Sequence, residues 1–107
     1  MIEIERGSDN VYADLDIPNA DEMLVKAQLA TKIREIIQAR KWTQQQAAKV
    51  LGMTQPKLSN MLRGQFRGVS ETKMLECLAK LGRDVRIVVG PDRHSEAEGH
   101  IEVVFAA

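Results

Sequence analysis

Apolar residues recur at helical spacing through the middle of the chain and switch to alternation near its end. Leu29, Ala30, Ile33, Ile36 and Ile37 form a stripe of helical period, which predicts a helix from about Asn19 to Arg40 with Lys32, Arg34, Arg40 and Lys41 in water. Its start is marked by Pro18 and by Asn19 and Glu22, which are spaced as a capping box. Two short helices follow. Thr43 with Gln46 caps the first, and Thr54 caps the second, with Pro56 in a first turn where its missing N–H costs little. Ser70 and Glu71 open a fourth helix, whose stripe is Met74, Leu75, Leu78 and Leu81, and Gly82 closes it. Beyond Gly82 the period changes. Val85, Ile87 and Val89 alternate, and Ile101 to Phe105 is rich in β-branched and aromatic residues, so two strands are predicted around the polar segment Gly90 to His100. Met1 to Glu5 also alternates and reads as a short strand or arm.

The pair of short helices carries the most information. Counting from Gln44, a small residue stands fifth (Ala48), a glycine ninth (Gly52), and Ala47, Leu51, Met53, Leu58 and Met61 fill the apolar positions. Ala48 lets two helices cross closely, and Gly52 supplies the left-handed backbone of a tight exit. This is the spacing of a helix-turn-helix that docks on DNA. On the second helix, Leu58, Met61 and Leu62 share one side; Pro56, Asn60 and Arg63 point the opposite way, with Lys57 and Ser59 on the flanks. Asn pairs bidentately with adenine, Lys with guanine, and a proline ring touches a thymine methyl, while Gln55 near the helix start reaches a base edge. The competing reading is a helical hairpin whose polar face is merely solvated.

Length and composition frame the rest. The 107 residues make one domain, and with only 4% aromatic residues the core must be aliphatic. A formal net charge of zero argues at first against a nucleic-acid partner. Its distribution reverses that. Residues 1–30 carry net −5, residues 31–68 net +7 with a single carboxylate, and the remainder net −2. The motif lies in the basic block, which suits phosphate contact.

Other chemistry has little support. A lone cysteine, Cys77, excludes an internal disulfide framework, fits a reducing cytoplasm, and beside a buried stripe reads as a packed thiol. His94 and His100, with Glu96, Glu98 and Glu102 nearby, match no metal-ligand spacing and read as a solvated loop. No phosphate-cradling glycine loop, cofactor motif, signal peptide or membrane-length apolar run is present. The expectation is a cytoplasmic protein that is not an enzyme and needs no cofactor or metal.

The residues Trp42-Thr43-Gln44, AAKVLG through Gly52 and TQPKLSNMLRGQFRG resemble the XRE helix-turn-helix family of Cro and phage repressors. With the flanks NVYADLDIPNADEMLVKAQLATKI and ECLAKLGRDVRIVV, the chain resembles the HigA-type antitoxin branch, over roughly residues 10–89. The resemblance implies a mainly α, lambda-repressor-like four-helix domain over residues 19–82. The residue pattern adds an arm or strand over residues 1–18 and a small two-stranded β element over residues 83–107, within the domain or at a dimer interface, although the resemblance itself does not extend over Pro91 to Ala107. The resemblance also implies that Gln44 holds a phosphate and buttresses Gln55, that Thr54 contacts the backbone, and that Gln55, Pro56 and Asn60 are recognition positions. Pro56 departs from the polar residue of several phage repressors, so their operators do not carry over directly. Lys57 and Ser59 become further base or phosphate contacts, and Arg63 and Arg67 backbone or minor-groove contacts.

The expected partners are a double-stranded DNA operator, a second copy of the chain, and a RelE-like or HigB-like mRNA-cleaving toxin. A solitary XRE regulator and an adaptor without DNA are the alternatives. Docking two recognition helices one DNA turn apart requires a two-fold axis. The tail strands could make it between chains or could simply cover the core of one.

Overall fold

The computed structural model describes residues 2–3 and 20–106. The element order is β1 (Ile2–Glu3), α1 (Ala20–Ala39), α2 (Gln44–Leu51), α3 (Gln55–Leu62), α4 (Glu71–Lys80) and β2 (Val104–Phe105). All four predicted helices are present. The expected cap at Asn19 and the arm before it lie outside the described residues.

Local signals act where they were read. Gln46 N–H donates to the Thr43 hydroxyl at 3.1 Å and Thr43 N–H to the Gln46 side chain at 2.9 Å, a complete capping box. Thr54 and Ser70 cap α3 and α4 by accepting from Lys57 N–H and Lys73 N–H. At the other ends one device recurs. Met53 N–H reaches Ala48 O and Gly52 N–H reaches Lys49 O, the paired bonds of a Schellman turn. The same pattern closes α3 at Gly64, α4 at Gly82 and α1 at Lys41. Gly52 takes φ 65°, where a side chain is strained, whereas Lys41 adopts φ 58° without being glycine.

The core lies where α1 crosses α3 and α4 and where α2 packs on α3 and α4. Ile33, Leu51, Leu58, Met61, Met74, Cys77 and Leu81 are fully buried there. Ala47 and Ala48 are buried with them in the same core cluster. The α1 stripe is longer than its sequence suggested: Leu24, Val25, Lys26 and Gln28 are buried too. Leu75 is half-buried against the core, one step from its predicted depth, while Cys77 is completely enclosed. Two of the cations predicted to be wet lie against aromatic rings. Lys32 sets its ammonium 5.1 Å from the Phe105 ring centroid, and Arg40 stacks 4.9 Å from the Trp42 centroid while donating to Leu81 O.

The expected C-terminal hairpin is corrected. Val104 and Phe105 pair antiparallel with Glu3 and Ile2, in the register Ile2↔Phe105 and Glu3↔Val104, so the two-stranded element joins the two ends of the chain. Residues 84–89 form no strand, and Ile87, Val88 and Val89 are 80%, 84% and 90% exposed. Alternation specified an apolar face for that segment and not a partner for it. Val104 and Phe105 are paired with the N-terminal strand and so not with residues 84–89.

Candidate nucleic-acid interface

The α3 helix buries Leu58, Met61 and Leu62 and turns the rest of its surface outward. Gln55, Pro56, Lys57 and Arg63 are exposed, and Ser59 and Asn60 are half-buried on the same helix. These six candidate residues are therefore all at least partly open to solvent along one short rod and at its end. Its inner side is anchored by three apolar side chains, so rotation that would withdraw the polar face would also expose the core.

Asn60 and Arg63 are joined directly. The Arg63 guanidinium donates to Asn60 Oδ1 at 2.6 Å, one helical turn apart. An amide oxygen has two lone pairs, so the bond leaves Asn60 one acceptor site and both amide hydrogens. That inventory still covers the two bonds a bidentate adenine contact needs. Gln44 and Gln55 are the first residues of α2 and α3. Among the described residues no hydrogen bond joins them. Thr54 spends one hydroxyl lone pair on Lys57 N–H at 3.3 Å and remains exposed for a further contact.

Arg67 stands away from α3, in the loop before α4, and its side chain is exposed. The loop is held from beneath by Phe66 and Val69, which are 2% and 4% exposed. Lys26 reaches across from α1 to donate to Arg67 O at 3.4 Å. Its buried ammonium also lies 3.4 Å from Glu22 and 3.8 Å from Glu71. A charge taken out of water in this way needs such partners. Lys26 thus ties α1, the Arg67 loop and the start of α4 into one support. The sequence held a signal for it, because Glu22 and Lys26 are a favourable i, i+4 pair, but an isolated pair does not announce its burial. Phe66 carried no periodic signal, since it lies between helices.

Several cations bind helix ends rather than projecting freely. Arg34 donates to Leu62 O at 3.5 Å, and Lys73 and Lys80 both donate to Leu51 O at 3.4 Å. Each occupies the carbonyl end of a motif helix, where positive charge is favoured. The basic block accordingly divides into Lys57, Arg63 and Arg67 on the outer surface and others, such as Arg34, that brace the pair. Cys77 lies inside the same packing, with its sulfur 3.8 Å from that of Met53. Burial raises its thiol pKa, opposed by Lys73 and Lys80. His94 lies 3.7 Å from Asp92, and His100 lies 3.5 Å from Glu102. Among the described residues no three metal-binding side chains converge, and no helix is long and apolar enough to cross a membrane.

This arrangement is similar to known proteins over most of its length. A family model described as a helix-turn-helix domain matches residues 11–90. A solved structure described as an XRE family transcriptional regulator is 34% identical, with TM-score 0.75, covering 83% of this chain and 100% of its own. No curated protein matches.

Proposed function

The chain belongs to the helix-turn-helix transcriptional regulators of the XRE family, and on that premise we propose that it is an operator-specific repressor and the antitoxin of its own operon. The observation that carries the DNA reading is the outward side of α3. Gln55, Pro56, Lys57 and Asn60 meet base edges, and Ser59 lies beside them at base or phosphate. Gln44, Thr54, Arg63 and Arg67 hold the sugar-phosphate backbone. Neutral total charge is compatible with this role because Lys57, Arg63 and Arg67 project outward while the acidic residues cluster elsewhere in the chain.

The Asn60–Arg63 bond refines the roles. An arginine that contacted only phosphate would weaken all sequences alike on removal. By holding Asn60 Oδ1, Arg63 also fixes the amide that reads a base, so its loss weakens the preferred sequence most. Replacing both residues should cost less than the sum of the single replacements.

The antitoxin half rests on the flanks that resemble the HigA-type branch. Its partner would be a RelE-like or HigB-like toxin, restrained by protein contact. The second reading is a solitary regulator, in line with the solved relative's description as a transcriptional regulator. A gel-shift on the DNA upstream of this chain's own gene, with and without the product of the neighbouring gene, separates the two. A tighter or slower-migrating complex together with rescue of growth on co-expression is expected. Specific DNA binding with no complex and no rescue would leave a solitary regulator.

A further inference from the structure

The loop that carries Arg67 contains a turn whose central peptide is held by a buried charge. Val69 N–H donates to Phe66 O at 2.9 Å, which closes a β-turn over Phe66, Arg67, Gly68 and Val69. Phe66 and Val69 are buried, so both ends of the turn are fixed. Its middle is not fixed by them. Such a turn has two forms that differ by turning over the central peptide, and the type II form puts the third residue at φ of about +80°, which glycine adopts freely. Gly68 occupies that position, with nothing within 4 Å of where a Cβ would lie, yet it stays outside the left-handed region. The sequence permits the flipped turn, and a further contact selects the other.

That contact is made by Lys26. Its ammonium donates to Arg67 O, the carbonyl of the central peptide, at 3.4 Å. The ammonium is confined, because the Lys26 side chain is 6% exposed and lies between Glu22 and Glu71. Turning the peptide over would remove this acceptor from a buried charge, which is unfavourable. In a trans peptide the N–H points opposite to the C=O. A carbonyl drawn inward to Lys26 therefore directs the Gly68 N–H outward, next to the exposed Arg67 side chain. Among the described residues nothing accepts from that N–H. The flipped form would instead present a carbonyl oxygen, which repels an anion.

We propose that Lys26 is a positioning residue for DNA binding: by holding the Arg67 carbonyl it turns the Gly68 N–H outward as a donor to a backbone phosphate beside the Arg67 guanidinium. The inference rests on the operator-binding reading above and adds to it a donor and the group that aims it. Backbone N–H groups are common phosphate ligands, and glycine lets the phosphate approach closely.

The test is equilibrium binding of the full chain to its own upstream DNA, with Lys26→Met, Gly68→Ala and the double variant. Methionine fills the space without charge or donor, and such replacement of a buried ion is commonly tolerated, so helical circular dichroism should persist. Lys26→Met is expected to weaken binding about tenfold, the scale of a lost hydrogen bond to a charged group. Gly68→Ala keeps the N–H but disfavours the flipped turn. It should leave parent binding unchanged, and in the double variant it should recover most of the loss, which a merely structural role for Lys26 would not allow. NMR of the parent chain needs no substitution: the Arg67 Hα to Gly68 N–H NOE should be weak, as in the unflipped turn, and the Gly68 amide proton should shift downfield on adding the duplex. A strong NOE in the parent, parent-like binding by Lys26→Met, or a loss that Gly68→Ala does not recover would each overturn the role of Lys26. A parent chain that ignores its upstream DNA would overturn the operator-binding reading itself, an outcome visible without any variant.

Discussion

The helical head and the tail after Gly82 handle their apolar residues in opposite ways. In the head, Ile33, Leu51, Leu58 and Met74 are withdrawn completely from water, and Val50, at 43%, is its most exposed large aliphatic side chain. In the tail, Ile87, Val88, Val89 and Ile101 are between 71% and 90% exposed. Both regions are patterned clearly. The difference lies in where the complementary surface is found: the head carries its own within about sixty residues, whereas a strand needs an edge that the sequence of that strand does not specify.

The largest test of the contrast is a pair of truncations measured by urea unfolding. Leu58→Ala should cost ~2 to 5 kcal/mol, through lost burial and the cavity left behind. Ile101→Ala, at a tail position of comparable apolarity, should change stability by less than ~0.5 kcal/mol. Equal losses would show that the tail is packed as the head is.

On the outer surface of the head the effects should appear in binding and not in folding. Asn60→Ala should lose ~1 to 3 kcal/mol of specific affinity, if Asn60 makes a bidentate base contact, with little change in unfolding. Helix ends offer a finer test of opposite signs. Gly52→Ala should destabilise by ~1 to 2 kcal/mol because φ is 65° there, and the nearest obstacle, 3.3 Å away, is only the mobile end of Lys80. Lys41→Gly, at φ 58° in the matching turn of α1, should stabilise by up to ~1 kcal/mol. A thermal melt of each variant reads the sign.

The smallest effect concerns Cys77. Its thiol should stay unreactive toward a thiol-labelling reagent at neutral pH until the head unfolds. Because its folded pKa is raised by burial, its contribution to stability is complete below the ordinary thiol pKa. It is lost as pH rises through the folded value, since the unfolded chain ionises first.

How much of this was legible follows from the range of each interaction. Thr43, Gln46, Gly52, Thr54 and Ser70 act within five residues of themselves, so their roles could be read from spacing and are met in the structure. The outer side of α3 was legible for the same reason, because a single helical period decides which residues oppose Leu58. Lys26 and Phe66 were not, since one is buried by partners as distant as Glu71 and the other fills the core from a loop without period. Sequence shows Arg63 only as a cation one turn from Asn60, and the bond between them depends on side-chain conformations that spacing does not fix. The tail failed at the step where pattern must choose a partner. Residues 101–105 had two possible edges, and the one at Ile2–Glu3 was taken.

The proposed function stands or falls on whether the outward side of α3 reads DNA sequence. The direct measurement is equilibrium binding of the full chain to its own upstream DNA and to a scrambled duplex at fixed salt, repeated for Lys57→Ala, Asn60→Ala and Arg63→Ala. The parent chain is expected to prefer its upstream DNA, Lys57→Ala and Asn60→Ala each to reduce that preference, and Arg63→Ala to reduce both the preference and the salt dependence. Unchanged preference and affinity in all three variants would contradict it.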